Sequence, residues 1–73
     1  MTPKRFQIAR RRLGLNLSET AAMLGYEGEH ARSQVHHLET GRRTIRPAQA
    51  RLIEAYLDGY RPHDWPQRSS EQT

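Results

Sequence analysis

Tyr26-Glu27-Gly28-Glu29-His30-Ala31-Arg32-Ser33-Gln34-Val35-His36-His37-Leu38-Glu39-Thr40-Gly41-Arg42-Arg43 follows a short helix that Gly25 closes, and its reading decides the fold. The second half has helical periodicity, a glycine stop and arginines after it. Each residue of an α-helix turns about 100°. Ala31, Val35 and Leu38 then share one side. Ser33, His36, His37 and Thr40 lie roughly opposite, with Arg32 on the flank. A helix that buries small aliphatics and shows hydrogen-bonding side chains suits the major groove of DNA. Many amphipathic helices are merely solvated on the polar face, so the neighbouring residues have to carry the argument further. The helix start is open within residues 26–32, because Tyr26 to His30 reads equally as loop or as an early turn of helix.

Working outward, 73 residues give one domain and one small core. Hydrophobic residues are 34% of the chain and mean hydropathy is -0.98, so apolar surface is scarce. Such a chain needs well-formed helix packing or a partner subunit. There is no cysteine, hence no disulfide and no thiolate metal site. His36 and His37 are adjacent and point different ways on a helix, so no metal is expected. No cofactor or small-molecule ligand is evident either. No apolar run is long enough for a membrane span and no signal peptide is legible, which makes the cytoplasm the expected compartment.

Charge is more telling. Twelve Lys+Arg against eight Asp+Glu give +4, and eleven of the twelve are arginine. Arginine's planar fork matches phosphate and the guanine edge. Lys4, Arg5, Arg10, Arg11 and Arg12 form one block; Arg42, Arg43, Arg46 and Arg51 form another. Residues 13–31 carry Glu19, Glu27 and Glu29 and no Lys or Arg. Two basic shoulders beside a reading helix fit this distribution better than a uniformly solvated surface.

Helix boundaries are written in the caps. Thr2-Pro3 opens a first helix, with a capping hydroxyl and a proline whose missing N–H costs nothing there. Phe6, Ala9 and Leu13, with Ile8 beside them, give its apolar positions, and Gly14 ends it. Asn16 and Glu19 have capping-box spacing. Leu17, Ala21, Met23 and Leu24 supply the second helix's apolar surface. Pro47 begins a fourth helix with Ala50, Ile53, Ala55, Tyr56 and Leu57 inside, and Asp58-Gly59 ends it. Tyr60-Arg61-Pro62-His63-Asp64-Trp65-Pro66 should be extended, and residues 67–73 disordered. No strand pattern or repeat is present. The expectation is an all-α domain over residues 1–59, with four helices or five and a short extended tail over 60–73.

The run Arg10-x-x-Leu13-Gly14-Leu15-Asn16-x-x-Glu19-x-Ala21-x-x-Leu24-Gly25, then Val35-x-x-Leu38-Glu39-x-Gly41-x-Arg43, resembles the Cro/phage-repressor helix-turn-helix family, also called XRE, over roughly residues 5–58. The tail Gly59-Tyr60-Arg61-Pro62 and the small size also resemble regulators linked to anti-CRISPR operons. Three departures stand out. Leu17 replaces the family's phosphate-binding glutamine, so that contact falls to backbone N–H groups or Asn16. The turn before Val35 is about four residues longer than usual. The family's fifth helix is absent, and the Pro/Trp tail stands in its place.

The resemblance implies a transcriptional regulator of prokaryotic or phage origin, cytoplasmic and nucleoid-associated. It would act as a homodimer on an inverted-repeat operator, most simply as a repressor of a phage or mobile-element operon. By position, Arg32, Ser33 and His37 match the base-reading residues, with His36 adjacent and Gln34 a weaker candidate at the core edge. Arg42, Arg43, Thr44 and Arg46 match the loop that grips the DNA backbone, and the starts of the second and fourth helices should face phosphates. Arg10 and Glu39 match a structural ion pair between the first and third helices. His30 and His63 read as surface histidines, and Tyr26 as a cover for the core where the family has valine. Tyr56, Tyr60 and Trp65 offer aromatic surface for a dimer interface; Trp65 reads equally as packing on its own subunit. A different class of function, antitoxin or adaptor with a protein as main partner, stays open. No nucleophile with a base, pocket-forming carboxylate pair or phosphate-cradling loop suggests an enzyme, and the aromatic sheet of common RNA modules is missing.

Overall fold

The computed structural model describes residues 1–66, and every helix in it begins or ends on chemistry local to the chain. Helix α1 spans Pro3–Leu13. The Thr2 hydroxyl accepts from the Arg5 N–H at 3.1 Å, and Gly14 closes the helix at φ 76. Helix α2, Leu17–Met23, starts on a complete capping box. Asn16 Oδ1 accepts from the Glu19 N–H at 2.7 Å, and Glu19 Oε1 accepts from the Asn16 N–H at 2.9 Å. Helix α3, Ala31–Thr40, has no side-chain cap at His30 and ends at Gly41 with φ 84. Helix α4, Pro47–Leu57, begins with proline, and the Gln49 side-chain oxygen accepts from the Arg46 N–H at 3.0 Å.

These ends settle where α3 begins. Tyr26–His30 is a connection, with Gly28 in the left-handed region at φ 92. Among the described residues there is no strand, and the domain is all-α with four helices. The expectation of disorder for residues 67–73 lies outside the described residues.

The core is Phe6 and Ala9 from α1, Ala21 from α2, Val35 and Leu38 from α3, and Ile53 and Tyr56 from α4, with Leu15 buried between α1 and α2. Burying side chains such as Phe6, Leu38 or Ile53 stabilises by about 1.5–3 kcal/mol each. Thr20 is also fully buried; its hydroxyl donates to the Asn16 carbonyl at 2.8 Å, so no polar atom is left unsatisfied there. α3 packs against both α2 and α1, and α4 packs against α1. Ile8 departs from the sequence expectation, being 49% exposed. Two steps along a helix turn about 200°, so Ile8 faces away from Phe6.

Residues 60–66, the described part of the tail, are not extended. His63 and Asp64 form a turn, and the Trp65 N–H bonds to the Pro62 carbonyl at 3.0 Å. The Trp65 ring meets Tyr56 edge-on, with centroids 5.0 Å apart, and Tyr60 stacks on Tyr56 at 5.9 Å. Arg61 donates to the Tyr56 and Tyr60 carbonyls at 2.7 and 2.8 Å, and its guanidinium lies 4.3 Å from the Trp65 centroid. One arginine therefore closes the C-terminal end of α4 and holds the indole against it.

Candidate nucleic-acid interface

The position of α3 follows from two of its buried residues and one ion pair. Val35 and Leu38 anchor its inner face. Glu39, on the same side, pairs with Arg10 of α1; their side chains are 4% and 13% exposed. Arg10 also donates to the Leu15 carbonyl at 2.8 Å, so one guanidinium joins α1, α3 and the turn before α2. A carboxylate and a guanidinium this well covered need each other, because either one alone would be a buried uncompensated charge.

The opposite face is open. Arg32, Ser33, His36 and Thr40 are exposed, and His37 is half-buried. Leu17, Arg32, Ser33, His36 and His37 line a groove between the start of α2 and α3. The Arg32 side chain has no hydrogen-bond or ion-pair partner among the described residues. The structure thus brings four of the expected base-reading side chains to one surface. Gln34 does not join them. It is half-buried, and its carboxamide oxygen accepts from Arg43 Nη1 at 2.7 Å.

The loop after α3 is tied back to the helix. The N–H groups of Arg42 and Arg43 both bond to the His37 carbonyl, at 2.9 and 3.2 Å. Arg42, Thr44 and Arg46 are exposed along the same loop. Asn16 is committed differently from the expectation. Its side-chain oxygen caps Glu19, and the Glu19 carboxylate holds its N–H, so a carboxylate already sits where a phosphate was expected. What Asn16 retains for a phosphate is its side-chain amide nitrogen. The starts of α2 and α4 therefore differ: the second carries Arg46 and no acid in its first turn.

Three contacts had no signal in the sequence, since each joins distant residues. Arg5 forks onto Glu54 across α1 and α4 with distances of 3.0–3.2 Å. Gln49 Nε2 donates to the Tyr26 hydroxyl at 2.8 Å, linking α4 to the connection before α3. Gln34 and Arg43 form the third.

The aromatic residues expected at a dimer interface are largely spent inside the chain. Tyr56 is 2% exposed, and burial, then the charges of Asp64 and Tyr60, push its hydroxyl above the ordinary tyrosine value of 10.0. Trp65 is half-buried against it, leaving Tyr60, 53% exposed, as the one largely open ring of the three. Tyr56 is thus a core residue, because α4 turns its side chain inward beside Ile53.

Among the described residues no group of three metal-ligating side chains comes together, and no helix is long and apolar enough to cross a membrane. Compared with protein-family models, curated proteins and solved structures, the chain matches none.

Proposed function

We propose that this protein is a sequence-specific regulator that binds double-stranded DNA through a helix-turn-helix unit formed by α2 and α3. The observation that carries the reading is the outward face of α3. Its Arg32 is unpaired, Ser33 and His36 are exposed, and the inner side is locked by Val35, Leu38 and the Glu39–Arg10 pair. An α-helix fits the major groove, where Arg32 can take guanine O6 and N7 together and Ser33, His36 and His37 can add single bonds. Arg42, Arg43 and Arg46 would hold phosphates, fixing register and carrying no sequence information.

A short reading helix specifies few base pairs, so the functional unit is a homodimer on an inverted repeat with half-sites about one helical turn apart. Tyr60 is the ring left to make that contact, with the remaining open surface of Trp65. Occlusion of a promoter is the simplest action of such a dimer. That mode fits repression of a phage or mobile-element operon.

The test is a binding titration at several salt concentrations on DNA from upstream of its own gene and on random duplex. Phosphate neutralisation releases counterions, so affinity for both should fall steeply with salt while a preference for one sequence persists. A flat salt response, or equal affinity for every duplex, would sink the proposal.

A further inference from the structure

We propose that the groove between α1 and the end of α4, floored by Ile8, Ala9 and Leu57 and walled by Arg5 and Arg12, docks an acidic amphipathic helix of another protein. This surface is separate from the α3 face and does not depend on DNA binding. Ile8 is 49% exposed, sits at the middle of the helix and shares the groove with the half-buried Leu57. Residues three and four away on a helix share its face. Around Ile8 those are Lys4, Arg5, Arg11 and Arg12, all cations. Arg5 is paired with Glu54, whereas Lys4, Arg11 and Arg12 have no partner among the described residues. α1 itself contains no acidic residue. The face therefore has an apolar centre and a positive rim in which Lys4, Arg11 and Arg12 lack a partner among the described residues.

Charge decides the occupant. A second copy related by a two-fold axis would bring this rim against itself, and like charges in contact repel. Nucleic acid would gain from the cations and nothing from the isoleucine between them. The same side of α1 also points away from α3, since Ile8 lies about 160° around the helix from Arg10, which binds Glu39 of α3. An acidic helix with apolar residues at i, i+3 or i+4 satisfies both halves of the surface: its side chains meet Ile8 and Leu57, and its flanking carboxylates meet Arg12, Arg11 and Lys4.

The experiment titrates the whole chain with a labelled helical peptide carrying leucines at i, i+3, i+4 and i+7 between glutamates, and with a scrambled peptide of equal composition. Binding is read by anisotropy and mapped by amide shifts. The expected result is saturable binding of the first peptide, shifts confined to α1 and the end of α4, and about tenfold weaker binding of the scramble. Ile8→Asp and Arg12→Glu should each weaken the first peptide by a similar factor while melting like wild type; if Ile8→Asp fails to fold, Ile8→Gln takes its place. Equal binding of the two peptides, or unchanged binding in both variants, overturns the proposal. So does self-association that Ile8→Asp abolishes, which assigns the groove to a second copy. Loss of random-duplex affinity, or of binding to phosphatidylglycerol vesicles, in both variants assigns it to DNA or membrane and equally overturns it.

Discussion

Residues 31–46 and residues 56–66 are built from similar materials, arginines beside aromatic or imidazole rings, and use them in opposite ways. In the tail, Arg61 donates from Nη1 to two carbonyls and lays its flat face on Trp65, while Tyr56 meets both Trp65 and Tyr60. In the α3 region, the guanidinium groups of Arg32, Arg42 and Arg46 have no internal acceptor among the described residues, and His36 stands in solvent. Arginine count alone does not separate these roles. What separates them is whether the chain supplies an acceptor nearby, and a guanidinium left without one is available to something else.

The largest expected effect belongs to the pair that holds the open region in place. Glu39→Gln should cost roughly 3–5 kcal/mol in urea denaturation, because Arg10 is left charged and covered. The double variant Arg10→Met plus Glu39→Leu should recover most of that loss, since neither charge remains. A Glu39→Gln midpoint equal to wild type would show that the pair contributes nothing.

Next comes Arg32. Arg32→Ala should weaken cognate DNA binding by about 1–3 kcal/mol and leave random-duplex binding nearly intact. Folding stability should move by no more than about 0.5 kcal/mol, as for an exposed residue without partners. Equal losses on cognate and random DNA would make Arg32 a phosphate contact and erase its distinction from Arg42.

Trp65→Ala should show the reverse profile. Losing the edge-on Tyr56 contact and the Arg61 stack should cost about 1–2 kcal/mol of stability. Tyr60→Ala should cost less stability than Trp65→Ala, about 0.5 kcal/mol for its half-exposed stack on Tyr56, and should lower cooperative occupancy of two half-sites, followed by sedimentation with operator DNA. If Trp65→Ala leaves stability untouched and abolishes dimerisation, the indole belongs to the interface after all.

The smallest effect is alkaline. Folded Tyr56 holds its proton above the ordinary value of 10.0, so the unfolded chain ionises first as pH rises. Its contribution to stability is therefore complete below about pH 10 and is lost as pH climbs through the folded value. Urea midpoints measured on either side of that pH should fall further for wild type than for Tyr56→Phe; parallel declines would show that folding leaves ionisation of the hydroxyl unchanged.

Much of the fold was legible because caps are local. Thr2-Pro3, the Asn16–Glu19 box, Gly14 and Gly41 each state a boundary within a few residues. Side-chain phase was legible on α3 and failed at Ile8, where proximity to Phe6 and Ala9 in sequence suggested burial that the helical angle denies. Thr20 escaped notice because a periodicity of apolar residues passes over a hydroxyl, although an internal carbonyl makes its burial harmless. The α3 face was readable from spacing, whereas the diversion of Gln34 to Arg43 depends on how the following loop folds back. The tail misled for a related reason. Two prolines suggest extension, and only the meeting of Arg61, Tyr56 and Trp65 shows that the chain returns.

The link between Tyr26 and Gln49 has a consequence for entropy. Gln49 holds the Arg46 N–H with its oxygen and Tyr26 with its nitrogen, while Arg43 holds Gln34. The segment between α3 and α4 is therefore stapled at both ends, to α3 on one side and to the connection before α3 on the other. Fixing a free backbone residue costs about 1–2 kcal/mol, and over residues 42–46 that cost is met during folding. A ligand arriving at Arg42, Thr44 and Arg46 meets a loop that has already lost its freedom, so binding there proceeds with little further ordering of the chain.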